Sequence, residues 1–223
     1  MTRTARSQAV GAAVVVTALL LSVTACGSED GASATAAETP AVKHSLSGPA
    51  QKATGSLVGL AVLPRGYVAD PRADSTGPFT ATAFLNTWSA DPALDRALLL
   101  NASFAEGYRA SRLSPDKKKR FTLQLFKTGS AGKAAVLQKG FWSQDTHEHP
   151  FNLPGALSDA RVEYDGGTDQ STAIAEASLA VGPMVVEISV REVGALGSNL
   201  TPDTALVTAL AVQQRARLTA TSS

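Results

Sequence analysis

Two histidines one residue apart offer the clearest chance of chemistry in this chain. They lie in Asp145-Thr146-His147-Glu148-His149-Pro150. On an extended backbone, His147 and His149 point to the same side, and imidazole with a nearby carboxylate suits Zn²⁺ or Cu²⁺. A closed zinc site needs four ligands, and past residue 44 the sequence holds no further His and no Cys to complete one. A polar loop after a helix explains the cluster with fewer assumptions, so His147 and His149 stand as weak metal candidates and no cofactor is expected. Lys117-Lys118-Lys119-Arg120 could touch anionic headgroups or wall polymers, or be a solvated hairpin turn. Asp165-Gly166-Gly167-Thr168-Asp169 could hold Ca²⁺ or simply turn the chain.

Catalytic signatures are incomplete. Neither Gly-x-Ser-x-Gly nor His-Glu-x-x-His occurs. Ser-x-x-Lys occurs at Ser114/Lys117 and Ser130/Lys133, with Lys127-Thr128-Gly129 between them, but without a Ser-Asp-Asn element. Gly129 to Lys133 is too short for a phosphate-binding loop. Trp88, Trp142, Tyr67 and Tyr108 could line a pocket, although rings in a chain with 5% aromatics are more often core.

The strongest pattern lies at the other end of the chain. Arg3 and Arg6 precede a largely apolar run, Ala9 to Leu21, too short to span a bilayer comfortably and suited to an export signal. Val23-Thr24-Ala25-Cys26 follows, and Cys26 is the sole cysteine. This resembles the bacterial lipobox, which implies cleavage before Cys26 and a diacylglyceryl and N-acyl lipid on that residue. Two or more acyl chains, at about 0.8 kcal/mol per buried CH₂, hold a protein to a membrane firmly. The expected location is therefore the outer face of the cell membrane, with the membrane as one partner through the lipid anchor. A lone Cys also excludes an internal disulfide.

Residues 1–25 are thus expected to be a signal peptide. Residues 26–55, rich in Ser, Ala, Gly and Thr, are expected to be the lipidated Cys and a flexible spacer reaching roughly 30 Å. Residues 56–220 should form a single domain. Without residues 1–25, 18 basic residues face 19 acidic ones. That balance lacks the basic surface nucleic acid requires, so nucleic acid is not expected as a partner.

The elements that would position these groups follow from periodicity. Leu57 to Leu63 reads as a strand. Helices are expected over 80–88, 91–101, 130–142 and 201–218, with Asp91-Pro92 and Ser130 as starts. Strands are expected over 104–113, 120–127 and 160–164, with 143–159 irregular. A hairpin of 172–181 and 184–193 turns at Gly182-Pro183. In its second arm Met184, Val186, Ile188 and Val190 alternate with Val185, Glu187, Ser189 and Arg191, one face buried and the other wet. Sheet-then-helix units in succession predict an α+β fold, an antiparallel sheet with helices on one face.

Several segments resemble exported lipoproteins of Streptomyces-type actinobacteria. They are Leu63-Pro64-Arg65-Gly66-Tyr67, Gly77-Pro78-Phe79-Thr80, Phe104-Ala105-Glu106-Gly107-Tyr108, and a strand ending at Phe126 before the small-residue helix from Gly129 to Ala135. The group is similar, more distantly, to extracellular sensor-like α+β domains of mycobacterial serine/threonine kinases. The resemblance implies location and fold and carries no catalytic residue across. The expected role is a non-enzymatic binding or interaction module of the cell envelope, with an envelope protein or ligand as partner. The alternatives are an envelope hydrolase without a recognisable motif, or a metal-binding lipoprotein using His147 and His149.

Overall fold

The computed structural model describes residues 57–72 and 74–221. The expectations for the signal peptide, for Val23, Thr24, Ala25 and Cys26, and for the spacer lie outside the described residues.

A seven-stranded antiparallel sheet forms the centre. Strand β3 (Glu106–Leu113) and β4 (Lys119–Lys127) make one hairpin, and β5 (Leu157–Asp165), β6 (Gln170–Val181) and β7 (Met184–Ala195) make a meander. The two parts join where β4 pairs with β7, giving the order β1-β3-β4-β7-β6-β5. Two short strands, β1 (Val68–Ala69) and β2 (Gly77–Phe79), both lie along the outer edge of β3. With two and three residues they offer no alternation to read, which is why the sequence did not reveal them.

The α+β class and the antiparallel sheet agree with expectation; the helix placement differs. Helix α4 (Thr204–Thr221) covers one face. Helices α1 (Ala81–Thr87), α2 (Pro92–Asn101) and α3 (Ala131–Trp142) gather on the opposite face. The cause is visible in β4 and β7. Phe121, Leu123, Leu125, Val186, Ile188 and Val190 point toward α4, while Phe126 and Val185 point the other way and give the second helix group something to bury.

Under α4 the core is mainly aliphatic. Val207, Leu210, Ala211 and Leu218 reach it from the helix, and burial stabilises each larger side chain by about 1.5–3 kcal/mol. Ala209, next to Leu210, faces outward. Under α1–α3 the core is aromatic: Phe79, Phe84, Phe104, Phe126 and Phe141 touch with ring centres 5.1–6.1 Å apart. Phe79 lies flat on Gly107, whose absent Cβ leaves the ring its place.

Leu57 to Leu63 is not a strand. It forms one 3₁₀ turn, Val58–Leu60, and then runs extended across α4. Its backbone finds partners in side chains instead of a neighbouring strand. Buried Gln214 accepts from Val62 N (2.8 Å) and donates to Leu60 O (2.9 Å), while Arg217 donates to Ala61 O (3.0 Å). A strand-like apolar run can thus satisfy its amides without a ladder. No helix among the described residues is long and apolar enough to cross a membrane.

Candidate functional site

The helices on the α1–α3 face do not cover the whole sheet. The aromatic cluster fills one part, and next to it the strands carry polar side chains where a covered sheet ordinarily buries aliphatic ones. Thr122 and Gln124 of β4, Glu187, Ser189 and Arg191 of β7, and Glu176 of β6 line a cavity of about 260 Å³. Its walls are Phe84 and Trp88 on one side, and Phe141, Trp142 and His147 on the other. The pairing register explains the grouping. Gln124 lies opposite Glu187, Thr122 opposite Ser189, and Ser189 opposite Glu176, so one polar patch is woven from three strands.

Local chemistry fixes the wall that holds His147. Asp95, buried in α2, accepts from Ser89 Oγ (2.6 Å) and from Gln144 Nε2 (2.7 Å), tying the chain after α3 to α2. Farther on, His149 N donates to Asp159 Oδ1 (2.8 Å) and His149 O accepts from Ala160 N (3.0 Å). Between these two attachments the His147 ring stacks on Trp142, centres 3.7 Å apart and planes 13° apart. Its Nε2 lies 3.4 Å from Glu176 Oε1. Glu176 is also held by Arg161, which further pairs with Asp159 (3.0 Å) and Glu163 (2.7 Å). Burial alone would lower the affinity of Arg161 for its proton, but these carboxylates raise it above the ordinary guanidinium value.

Glu187 is the unusual group. It opens partly to the cavity yet is surrounded by protein, and burial pushes its carboxyl up to about 8. Ser178 Oγ donates to Oε1 at 2.7 Å and opposes the shift; the charge of Glu176 adds to it. Near neutral pH this side chain is mainly the uncharged acid, able to donate a hydrogen bond into the pit. Thr122, Gln124 and Ser189 are half-buried and make no side-chain hydrogen bond among the described residues. The floor therefore offers donors and acceptors with no internal partner.

At the far side of Trp88 the surface turns basic. Arg109 of β3 lies over the Trp88 ring, 5.0 Å from its centre. Arg72 and Arg120 converge on Asp70, whose side chain is 1% exposed, at 2.7 and 3.0 Å. Burial pulls the Asp70 carboxyl upward, but hydrogen bonds from Arg72 and Ser111 outweigh it and hold the group well below the usual carboxylate range.

The remaining motifs resolve into structure. His149 is exposed and borders a separate recess with Arg161 and Glu163, so the two histidines face different surroundings. Among the described residues no group of three or more His, Cys, Asp or Glu is placed to hold a metal ion. In the basic run, Lys119 pairs with Asp203 (2.7 Å) and Arg120 with Asp70, leaving Lys117 and Lys118 to the turn. Asp165 accepts from Gly167 N (2.9 Å) and Thr168 Oγ1 (2.8 Å) and shapes the β5–β6 turn. Ser130 caps α3 and Lys133 reaches Ser103, while Ser114 bonds Asp116 within the β3–β4 turn. Both Ser-x-x-Lys pieces are thereby accounted for. Of the four candidate rings, Trp88 and Trp142 line the pit, whereas Tyr108 is core and Tyr67 packs beside it. Thr122, Gln124, Glu176, Glu187 and Ser189 went unrecognised as a site, because alternation on a strand reads equally well as a face turned to water.

No family model matches the chain. No curated protein matches its sequence. Among solved structures, the extracellular domain of PknH from Mycobacterium tuberculosis is similar at a TM-score of 0.34 and 10% identity, over 69% of this chain and 81% of that one. A likeness that slight carries neither function nor location.

Proposed function

We propose that this protein is a lipoprotein acylated at Cys26 and held on the outer face of the cell membrane, whose folded domain binds a small polar ligand in the sheet-face pit. The lipobox residues Val23, Thr24, Ala25 and Cys26 support the anchor. One observation carries the binding role. Thr122, Gln124 and Ser189 occupy half-buried sheet positions, lack protein partners and open between two tryptophans. Polar groups at the floor of a concavity that have no protein partner stand ready to hydrogen-bond a ligand. Trp88 and Trp142 are the only tryptophans in the chain, so intrinsic fluorescence reads the pit directly.

The test uses the full chain in detergent, titrated with a small-molecule extract of the cell envelope. A saturable fluorescence change that Ser189→Leu abolishes, with the fold intact by circular dichroism, supports the reading. No change, or the same change in the filled variant, overturns it. For the anchor, Cys26→Ser should move the protein from the membrane fraction to the medium.

A second reading, an envelope hydrolase, gains from the meeting of His147, Ser189 and three acidic side chains, Asp145, Glu176 and Glu187, in one cavity. Against it, His147 Nε2 faces Glu176, and Ser189 makes no hydrogen bond to His147. Labelling of Ser189 by a fluorophosphonate would replace binding alone with catalysis.

A further inference from the structure

The basic corner beside the pit has more positive charge than its own carboxylates can match. Arg72, Arg120 and Arg191 all lie near enough to Arg109 to repel its charge. The carboxylate within this group is Asp70, with Asp74 at the rim. Asp70 is already saturated, accepting from Arg72 N, Arg72 Nε and Nη2, Arg120 Nε and Ser111 Oγ. Among the described residues the Arg109 and Arg191 side chains make no ion pair and no hydrogen bond, and Arg109 Nε is a buried donor without a partner. What holds the Arg109 guanidinium is the face of Trp88, at 5.0 Å.

A buried guanidinium donor left without a partner is costly, and an anion arriving beside the half-buried group would supply one. We propose that Arg109, with Arg72 at the rim and Arg191 on the pit side, receives an oxyanion, a carboxylate or a phosphate, borne by the ligand whose polar body occupies the sheet-face pit. Three features agree. Arg109 and Trp88 line a recess of about 280 Å³, and Trp88 also lines the main pit, so one aromatic ring joins the two spaces. Planar guanidinium groups match carboxylate and phosphate geometry. Burial first, and then the neighbouring Arg72 charge, lower the Arg109 guanidinium to about 10, as expected of a cation lacking its counter-ion. The proposal rests on the binding role of the pit and adds the charge of what binds there.

The probes are inorganic phosphate and succinate, each titrated into the full chain at constant ionic strength set with chloride, reading tryptophan fluorescence and the melting temperature. At least one should give a saturable fluorescence change and raise the melting temperature. Phosphate alone points to a phosphoester ligand and succinate alone to a carboxylate. Arg109→Gln should weaken that binding at least tenfold, whereas Lys118→Gln in the β3–β4 turn should leave it unchanged. Arg109→Gln should also melt higher than the wild type in buffer without phosphate or succinate, because it deletes an uncompensated cation; a purely structural arginine would melt lower on removal. Arg109→Lys keeps the charge without the fork and should bind with intermediate strength. The inference falls if neither anion saturates, if Lys118→Gln loses as much as Arg109→Gln, or if Arg109→Gln lowers the melting temperature. A response to envelope extract that survives in Arg109→Gln would keep the binding role and sink only the anion corner.

Discussion

On the α4 side of the sheet, β4 and β7 present Phe121, Leu123, Leu125, Val186, Ile188 and Val190, all at most 2% exposed. On the reverse side the same two strands present Thr122, Gln124, Glu187, Ser189 and Arg191 around an open space. Neighbouring residues on one backbone thus meet opposite conditions. The first face is filled for stability; the second keeps half-exposed polar groups without protein partners among the described residues and confines its packing to an aromatic cluster at one end. Under the proposed binding role, stability and recognition are separated by the pleat of the strand, so substitutions one residue apart should report on different properties.

The comparison breaks most visibly at Leu123. Leu123→Ala should cost about 2–5 kcal/mol in a urea titration, since it opens a void under α4. A loss under 1 kcal/mol would mean that this face is not the main core. Gly107→Ala should come next, at about 1–3 kcal/mol. Its Cβ would stand 2.2 Å from Phe79 ring atoms, and that ring is blocked behind by Phe84, Phe104 and Phe126. Unchanged stability would show that the aromatic cluster yields easily. Gln214→Leu, similar in volume, should cost about 1–3 kcal/mol because Val62 N and Leu60 O both lose their partner.

On the pit face the expected effects are smaller and depend on pH. The folded Glu187 carboxyl holds its proton up to about 8, whereas its ordinary value is 4.5. Between those values the folded protein binds a proton that the unfolded chain has released. The Glu187 contribution to stability therefore declines as pH rises through that interval, and levels off above about 8. Glu187→Gln should remove the decline, melting close to the wild type at pH 5 and several degrees above it at pH 8. Parallel melting curves across this range would show that Glu187 ionises freely. Ser189→Ala, which touches no protein partner, should change stability by no more than about 0.5 kcal/mol. A larger loss would make that hydroxyl part of the core and erase the contrast between the faces.

Much of the frame was legible in the sequence. Strands β4, β6 and β7 announce themselves by alternation, and α2 and α3 by Asp91-Pro92 and Ser130, each of which caps its helix as expected. Leu57 to Leu63 misled because an apolar run specifies burial and not the partner of its amides; here the partner is Gln214, more than 150 residues away. The pit was half legible. Glu187, Ser189 and Arg191 were seen to share a face, but local sequence carries no sign that Trp88 and Trp142 would wall it in. Arg109 was invisible for the same reason: its significance comes from Asp70 already being claimed by Arg72 and Arg120.

The grip of Gln214 and Arg217 on residues 60–62 also has a mechanical side. Under the proposed anchoring at Cys26, a pull arriving through residue 57 would meet these bonds on the closing helix before it reached a strand. The load is shared laterally by several contacts and does not unzip a ladder one rung at a time. A tug through the proposed anchor would thus leave the proposed binding surface undistorted until the first and last parts of the domain come apart.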